Sequence, residues 1–384
     1  MRFRVERDAL ADAVAWSART LPQRPQLPVL AGLRLDVAGG ELTVSGFDYE
    51  VSTRIELPVE VSEGGQALVS GRLLAEITRS LPSAPVELAT DGSRVVVTCG
   101  TARFTLATLP LEEYPTLPDL PPVAGTVGSD VFAAAVLSVA VAAGRDDTLP
   151  VLTGIRVEID GDRLTLAATD RYRLAVRELR WQPGDTSLSA TALVPARTLA
   201  ETARSLTSGA QVTVALGTGS TGGVGAGTTA DGMVGFVGGS RRTTTRLLDG
   251  EFPKYRALLP SESSAQAQVE TAALVEAVKR VSLVAARNAP VRLTFSAEGL
   301  VLEAGGLDDA QASEALPASY EGDDMTIAFN PTYLLDGLGA IDSDTAHFAF
   351  TAPTKPAVLT GKQAGEGVDG GDYRYLLMPV RLSG

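Results

Sequence analysis

Two nearly identical strings stand 122 residues apart in this 384-residue chain: QLPVLAGLRLDV at Gln26–Val37 and TLPVLTGIRVEI at Thr148–Ile159. Six of the twelve positions are identical, and four more exchange an aliphatic or acidic residue for its sibling, as Leu33 for Ile155 and Asp36 for Glu158. A chain that repeats a strand-like segment in this way folds as copies of one unit, so the repeat constrains the architecture more than any other signal. The repetition continues beyond these strings. A turn and a second strand follow at Gly39–Gly46, Gly161–Ala168 and Glu298–Gly305, the last preceded by a worn third copy of the motif at Ala289–Ala297. ALVSGRLLAEITRSL (Ala67–Leu81) matches ALVPARTLAETARSL (Ala192–Leu206), with a fainter counterpart at Ile327–Ala340. Proline-containing stretches at Leu111–Pro118 and Gly250–Pro260 each precede a new copy. Units of roughly 120–140 residues exceed a solenoid repeat and are domain-sized. The expected domains are 1–123, 124–262 and 263–384.

Within a unit the periodicities are legible. FRVERDALADAVAWSA opens as a strand and becomes an apolar-striped helix, and GRLLAEITRSL is a second helix behind another short strand. VELATDGSRVVVTCGTARFTLAT alternates apolar and polar residues around Asp91-Gly92, the pattern of a hairpin. Each domain therefore holds two strand–helix–strands halves, six in the chain. The fold class is α+β, with antiparallel sheets covered on one face by helices.

The composition removes several function classes. The formal charge is 33 − 46 = −13, which argues against broad, non-specific wrapping of nucleic acid but leaves room for a local basic surface. No run approaches the roughly 20 apolar residues of a membrane span. The opening MRFRVERDAL has no apolar core or cleavage site, so no signal peptide is expected. Cys99 is the one cysteine, in a strand-like run that predicts a small buried side chain and a reducing compartment. His347 is the one histidine, which disfavours a Ser/His/Asp triad or a multi-histidine metal site. The acidic stretches Glu321–Asp324, Leu307–Asp309 and Asp342–Asp344 read as solvated turns. Gly217, Gly219 and Gly222 fit a dinucleotide fingerprint in spelling only, since no helix start follows to hold a pyrophosphate; Ala215–Ser240 reads as a long hairpin loop. No catalytic residues, metal site or cofactor are expected.

The arginines carry more information. Arg72 and Arg79 lie seven apart on the second helix of the first unit, and Arg197 and Arg204 repeat that spacing on the matching helix of the second. Arg280 and Arg287, beside Lys279, repeat it on the first helix of the third, and Arg24 follows the first helix of the chain. Seven residues make about two helical turns, so each pair is expected on one face. An acidic chain that stations arginines on selected helix faces fits a polyanion partner. Similar domains joined end to end curve by a constant angle, and a rotation that closes gives a ring.

The motifs FRVERDAL, RPQLPVLAGL, LPVLTGIRVE, ATDRYRLAV (Ala168–Val176), EFPKY (Glu251–Tyr255), FNPTYLLDGL (Phe329–Leu338) and YLLMPVRL (Tyr375–Leu382) resemble those of the bacterial β sliding clamps, the processivity subunits of DNA polymerase III. The resemblance covers essentially the whole chain, and its Gly and Ala richness is that of an actinobacterial type. It implies a DNA clamp fold of three repeated domains, with antiparallel sheets outside and helices lining a ring. It implies two copies per ring arranged head to tail, double-stranded DNA in the hole, a clamp loader that opens the ring, and polymerases and repair proteins docking through short peptides. The implied peptide pocket maps to Leu152, Thr169, Arg171, Tyr172, Arg173, Leu174, Pro253 and Leu258, faced by Asn330, Tyr333, Thr354, Pro356, Met378, Pro379, Val380, Arg381 and Leu382. The implied DNA contacts are Arg24, Arg72, Arg79, Arg197, Arg204, Lys279, Arg280 and Arg287. Arg171 and Tyr172 depart from the Gly or Ser, then His, of many relatives, and Ala257 stands where arginine is frequent. The rival readings are a repeat adaptor that binds only peptides and an enzyme using the glycine-rich loop or the acidic turns.

Overall fold

Six times along the chain a short strand runs into an α-helix, and a meander of antiparallel strands follows. The joins are Arg2–Val5 with α1 (Arg7–Ala18), Gly65–Ser70 with α2 (Gly71–Ser80), Val123–Gly128 with α3 (Ser129–Ala140), Ser189–Pro195 with α4 (Ala196–Ser205), Ala265–Glu270 with α5 (Thr271–Val281) and Met325–Phe329 with α6 (Pro331–Gly339). These are the α-helices among the described residues, which in this computed structural model are 1–207, 209–216, 232–260, 262–286, 289–306, 310–361 and 372–381. In α2, Leu74, Ala75, Ile77 and Thr78 are buried while Arg72, Glu76 and Arg79 are exposed. That one-sided stripe is what holds a short helix against a sheet.

The repeated strings fold alike. Pro28–Ala31 and Pro150–Thr153 each form one 3₁₀ turn that feeds the strands Gly32–Ala38 and Gly154–Asp160, whose residues alternate in burial in the same order. Both strands begin on glycine because a leucine of the paired strand crowds the position. A Cβ at Gly32 would lie 2.7 Å from Leu68 Cδ1, and one at Gly154 2.8 Å from Leu193 Cδ1. The repeat also keeps an ion pair along the strand, Arg34 with Asp36 at 3.1 Å and Arg156 with Glu158 at 2.5 Å, because residues two apart share a face.

The chain divides into two compact units, Met1–Asp130 with Glu201–Leu247, and Val131–Ala200 with Leu248–Gly384. In the first, one sheet runs in the order 60–63, 2–5, 86–91, 94–99, 102–107. A second runs 123–128, 211–216, 233–238, 241–246, 51–58, 41–47, 32–38, 65–70. The expected hairpin turns at Gly92, whose φ of 57° is left-handed, with Asp91 opposite Arg94. Cys99 is fully buried, its thiol donating to the carbonyls of Pro82 and Ala84 at 3.3 Å each.

In the second unit one sheet runs 189–195, 154–160, 163–169, 173–180, 372–377, 357–360, 345–350, 265–270, 318–321, and another 311–316, 299–305, 291–296, 325–329. The pairing of Arg173–Arg180 with Asp372–Leu377 joins the second copy of the repeat to the third. Phe295, Phe348 and Phe350 pack with ring centres 5.1–5.9 Å apart in one core of this unit. Leu174, Val176, Leu193, Phe252, Tyr255 and Leu376 form another.

Two expectations need correction. Helix α5 ends at Val281, where Ser282 passes into a single 3₁₀ turn (Ser282–Val284) with its hydroxyl donating to the Val278 carbonyl at 2.5 Å. The helix therefore stops short of the further turns expected through position 287, and Arg287 itself lies outside the described residues. The glycine-rich stretch is also shorter as a loop than Ala215–Ser240. Gln211–Leu216 and Met233–Gly238 are paired strands, with Leu216 opposite Val234. Gly217, Gly219 and Gly222, like Leu307–Asp309, lie outside the described residues.

Candidate functional site

In the second unit, strand Arg163–Thr169 reverses into Arg173–Arg180 through Asp170, Arg171 and Tyr172. The Asp170 carboxylate caps the turn, accepting the Tyr172 and Arg173 amides at 3.0 Å each. Thr169 Oγ1 donates to the Arg173 carbonyl at 2.6 Å and accepts the Arg171 amide at 3.2 Å. This network holds Arg171 at φ 79°, a left-handed conformation that costs a non-glycine residue roughly 1–2 kcal/mol. The first copy of the repeat makes the same turn. Asp48 accepts the amides of Glu50 and Val51 at 3.0 and 2.7 Å, and Tyr49 sits at φ 74°. Val51 there occupies the place of Arg173.

Arg173 is 4% exposed and turns inward. Its Nε donates to Asp170 Oδ2 at 3.0 Å, and its Nη1 donates to Asp336 Oδ2 at 2.5 Å and to the Tyr375 hydroxyl at 3.4 Å. Its guanidinium carbon lies 4.3 Å from the centre of the Tyr333 ring. Burial opposes the charge, but Tyr375, Asp336 and Asp170 outweigh it and raise the Arg173 pKa above the ordinary guanidinium value. Tyr375 is fully buried and donates to the Tyr333 carbonyl at 2.8 Å; burial pushes its hydroxyl pKa up. Helix α6 brings Tyr333 and Asp336 to this point. Its start is fixed by Pro331 and by Asn330, whose side chain accepts the Thr332 and Tyr333 amides at 2.9 and 3.2 Å.

A cavity of about 510 Å³ opens over this cluster, the size of a ligand or peptide-anchor pocket. One wall is the segment after α3, with Arg145, Asp146, Leu149 and Leu152; the turn supplies Asp170, Arg171, Tyr172 and Arg173; and α6 supplies Thr332, Tyr333 and Asp336. Tyr172 is 57% exposed and stacks on Tyr333 with ring centres 6.4 Å apart. Asp146 is held below the ordinary carboxylate range by the side-chain and backbone bonds it accepts from Thr148.

The structure thus brings together Leu152, Arg171, Tyr172, Arg173 and Tyr333 from the residues singled out in the sequence. Thr169 and Leu174 are buried beneath the cavity rather than in its wall, because strand alternation and the cap network turn them into the sheet. Asn330 acts as the cap of α6. Pro253, Leu258, Thr354, Pro356, Met378, Pro379, Val380 and Arg381 are not part of the cavity wall. Met378 is nevertheless tied to it, its amide donating to the Tyr172 carbonyl at 2.9 Å, and Val380 donates to Ala328 at 2.8 Å. Met378, Val380 and Leu258 are exposed apolar side chains, and Leu382 lies outside the described residues. Leu258 ends a 3₁₀ turn anchored by Tyr255 and Arg256, which bond Glu158 Oε2 at 3.1 and 2.5 Å. Sequence reasoning missed Asp170, Asp336, Tyr375, Arg145, Asp146, Leu149 and Thr332. Asp170, Thr332, Asp336 and Tyr375 carried a signal, since each sits inside a quoted motif.

Of the basic residues, Arg24, Arg72, Arg79, Arg197, Arg204, Lys279 and Arg280 are all exposed. Lys279 bonds Glu276 at 2.7 Å, and Arg280 binds Glu314 through Nε and Nη2 at 3.0 and 2.5 Å. The charge of Arg280 is therefore largely offset within the chain. Among the described residues no group of three or more His, Cys, Asp or Glu side chains could hold a metal ion.

Comparison with known proteins places the whole chain. Residues 1–118 match the DNA polymerase III beta subunit N-terminal domain family, 126–254 the central domain family and 256–381 the C-terminal domain family. The chain is 60% identical over 384 residues, all of both proteins, to the beta sliding clamp of Streptomyces coelicolor. It is 49% identical over the full length of both chains to the beta sliding clamp homolog GriR of Streptomyces muensis. Among solved structures, the Pseudomonas aeruginosa sliding clamp bound to griselimycin superposes with a TM-score of 0.89 at 28% identity, covering all of both chains. On these grounds the chain belongs to the DNA polymerase III beta subunit family, the bacterial beta sliding clamps.

Proposed function

We infer that the chain encircles duplex DNA as a ring and tethers the replicative polymerase and other DNA-processing proteins, conferring processivity in chromosomal replication. The carrying observation is the match along the chain: three beta subunit domains in order, and 60% identity over 384 residues to a sliding clamp. The chain is an accessory subunit of the polymerase and not itself catalytic. Its domains are 1–123, 124–262 and 263–384.

The ring consists of two copies placed head to tail. Strand Ala102–Ala107 is outermost in its five-stranded sheet, and Gln311–Leu316 is outermost in its four-stranded sheet. An open edge on the first domain and another on the third suit a heterologous contact that closes on itself. Phe104 on the first edge strand and Leu283, 84% exposed after α5, supply apolar surface for such a contact. Arg24, Arg72, Arg79, Arg197 and Arg204 face the DNA; Lys279 and Arg280, each paired with a glutamate within the chain, contribute less. Few cations on an acidic chain keep phosphate contacts weak and exchangeable, which sliding requires. A polymerase held on the ring stays at high effective concentration near the primer end. Partners dock short peptides in the cavity beside Tyr172 and along the apolar residues Met378, Val380 and Leu258. A clamp loader opens the ring. As a replication protein of the sliding-clamp family it works in the cytoplasm. Among the described residues no helix is long and apolar enough to cross a membrane.

Primer extension on singly primed circular DNA, with the polymerase and clamp loader, tests this reading. Adding the chain should convert short products into long ones within a single binding event. Products of unchanged length would refute it.

A further inference from the structure

We propose that Asp336 is the positioning residue of the cavity: from α6 it fixes Arg173, and through Arg173 the Tyr333 ring, for a docked peptide. The proposal rests on the peptide-docking reading above and names what organises that site. Asp170 and Asp336 both bond Arg173, but they differ in duty. Asp170 also accepts two backbone amides of the turn, so its loss would undo the hairpin. Asp336, 31% exposed, spends its carboxylate on Arg173.

The molecule contains its own control. The first copy builds the same aspartate-capped, left-handed turn with Val51 in place of Arg173. The turn therefore needs neither the arginine nor a partner for it. A buried cation between carboxylates adds little net stability over an apolar residue of similar volume, and its value lies in fixed geometry. Here that geometry is specific. Asp170 takes Nε, Asp336 and Tyr375 share Nη1, and among the described residues Nη2 is the guanidinium nitrogen left for a peptide oxygen. The same guanidinium lies 4.3 Å from the Tyr333 ring, which in turn stacks with exposed Tyr172. Without Asp336 the Arg173 side chain keeps only Asp170 as an anionic partner, and both the free donor and the aromatic platform lose their fixed direction.

The test compares Asp336→Asn and Asp336→Glu with the wild-type chain, using the organism's replicative DNA polymerase catalytic subunit as the probe in an interferometry assay. Asp336→Asn should weaken binding about tenfold or more, mainly through faster dissociation, while its thermal midpoint stays within about 3 °C of wild type. Asp336→Glu should recover most of the affinity. Wild-type affinity in Asp336→Asn overturns the proposal. So does an affinity loss that tracks an equal loss of thermal stability in both variants, since that marks a general folding role. A wild-type chain that fails to bind the polymerase overturns the docking reading itself, and this inference with it.

Discussion

Replacing Gly337 by alanine should destabilise the second unit, although the same change two residues later should not. Gly337 lies in α6 against the buried ring of Tyr375. A Cβ there would stand 2.5 Å from Cδ1 and 3.1 Å from Cγ, and closer still to Cε1. One whole edge of the ring must move, and Tyr375 has no free space because it is fully buried. Overpacking of this kind costs about 1–3 kcal/mol. Displacing the ring also strains the hydroxyl bond to the Tyr333 carbonyl, worth about 1 kcal/mol. Alanine returns up to about 1 kcal/mol of helix propensity, leaving a net loss of about 1–3 kcal/mol. Gly339, in the same helix, has nothing within 4 Å of the place its Cβ would take, so Gly339→Ala should gain up to about 1 kcal/mol. Urea unfolding followed by Trp181 fluorescence in a Trp16→Phe background reports on this unit, because Trp181 is buried there and donates to the Gly161 carbonyl at 2.9 Å. A Gly337→Ala variant as stable as Gly339→Ala would refute the packing argument.

Glu158 makes the second unit sensitive to acid. Burial raises its carboxyl pKa, but bonds from Arg256 and Arg156 outweigh that and lower it below 4.5. A depressed folded-state pKa stabilises fully above the unfolded value and is lost as pH falls through the folded one. The urea-midpoint gap between wild type and Glu158→Gln should shrink as the pH drops below 4.5; a gap independent of pH would count against it. If two copies close the ring as proposed, Asp in place of Leu283 or Phe104 should shift the chain from dimer to monomer in sedimentation, since a charge replaces exposed apolar surface at the proposed contact. Ala at both Arg72 and Arg79 should lower the slope of log affinity against log salt for duplex DNA by about 2, roughly one per lost phosphate contact.

The repeat was readable because its two strings meet the same local demands twice: a 3₁₀ turn, a glycine under a leucine, and an ion pair along the strand. The end of α5 was not, since residues 271–287 carry no proline or glycine and the helix tightens into a 3₁₀ turn at Ser282, whose hydroxyl donates to the Val278 carbonyl. Part of the cavity was legible through motifs around Leu152, Tyr172 and Tyr333, which supplied Leu152, Arg171, Tyr172, Arg173 and Tyr333. Asp336 escaped notice because a helical carboxylate reads as a solvated face until Arg173, 163 positions earlier, is seen to meet it. Arg280 shows the converse: its spacing placed a cation on a helix face, and Glu314 on a neighbouring strand turns out to pair with it. Long-range pairing of this kind is set by tertiary structure, which periodicity within one helix does not encode.

The most direct measurement of the account is the lifetime of the loaded chain on nicked circular DNA before and after a restriction enzyme linearises it. Topological tethering predicts long retention on the circle and rapid loss from the free ends once the circle is cut. Equal lifetimes on both forms would contradict it.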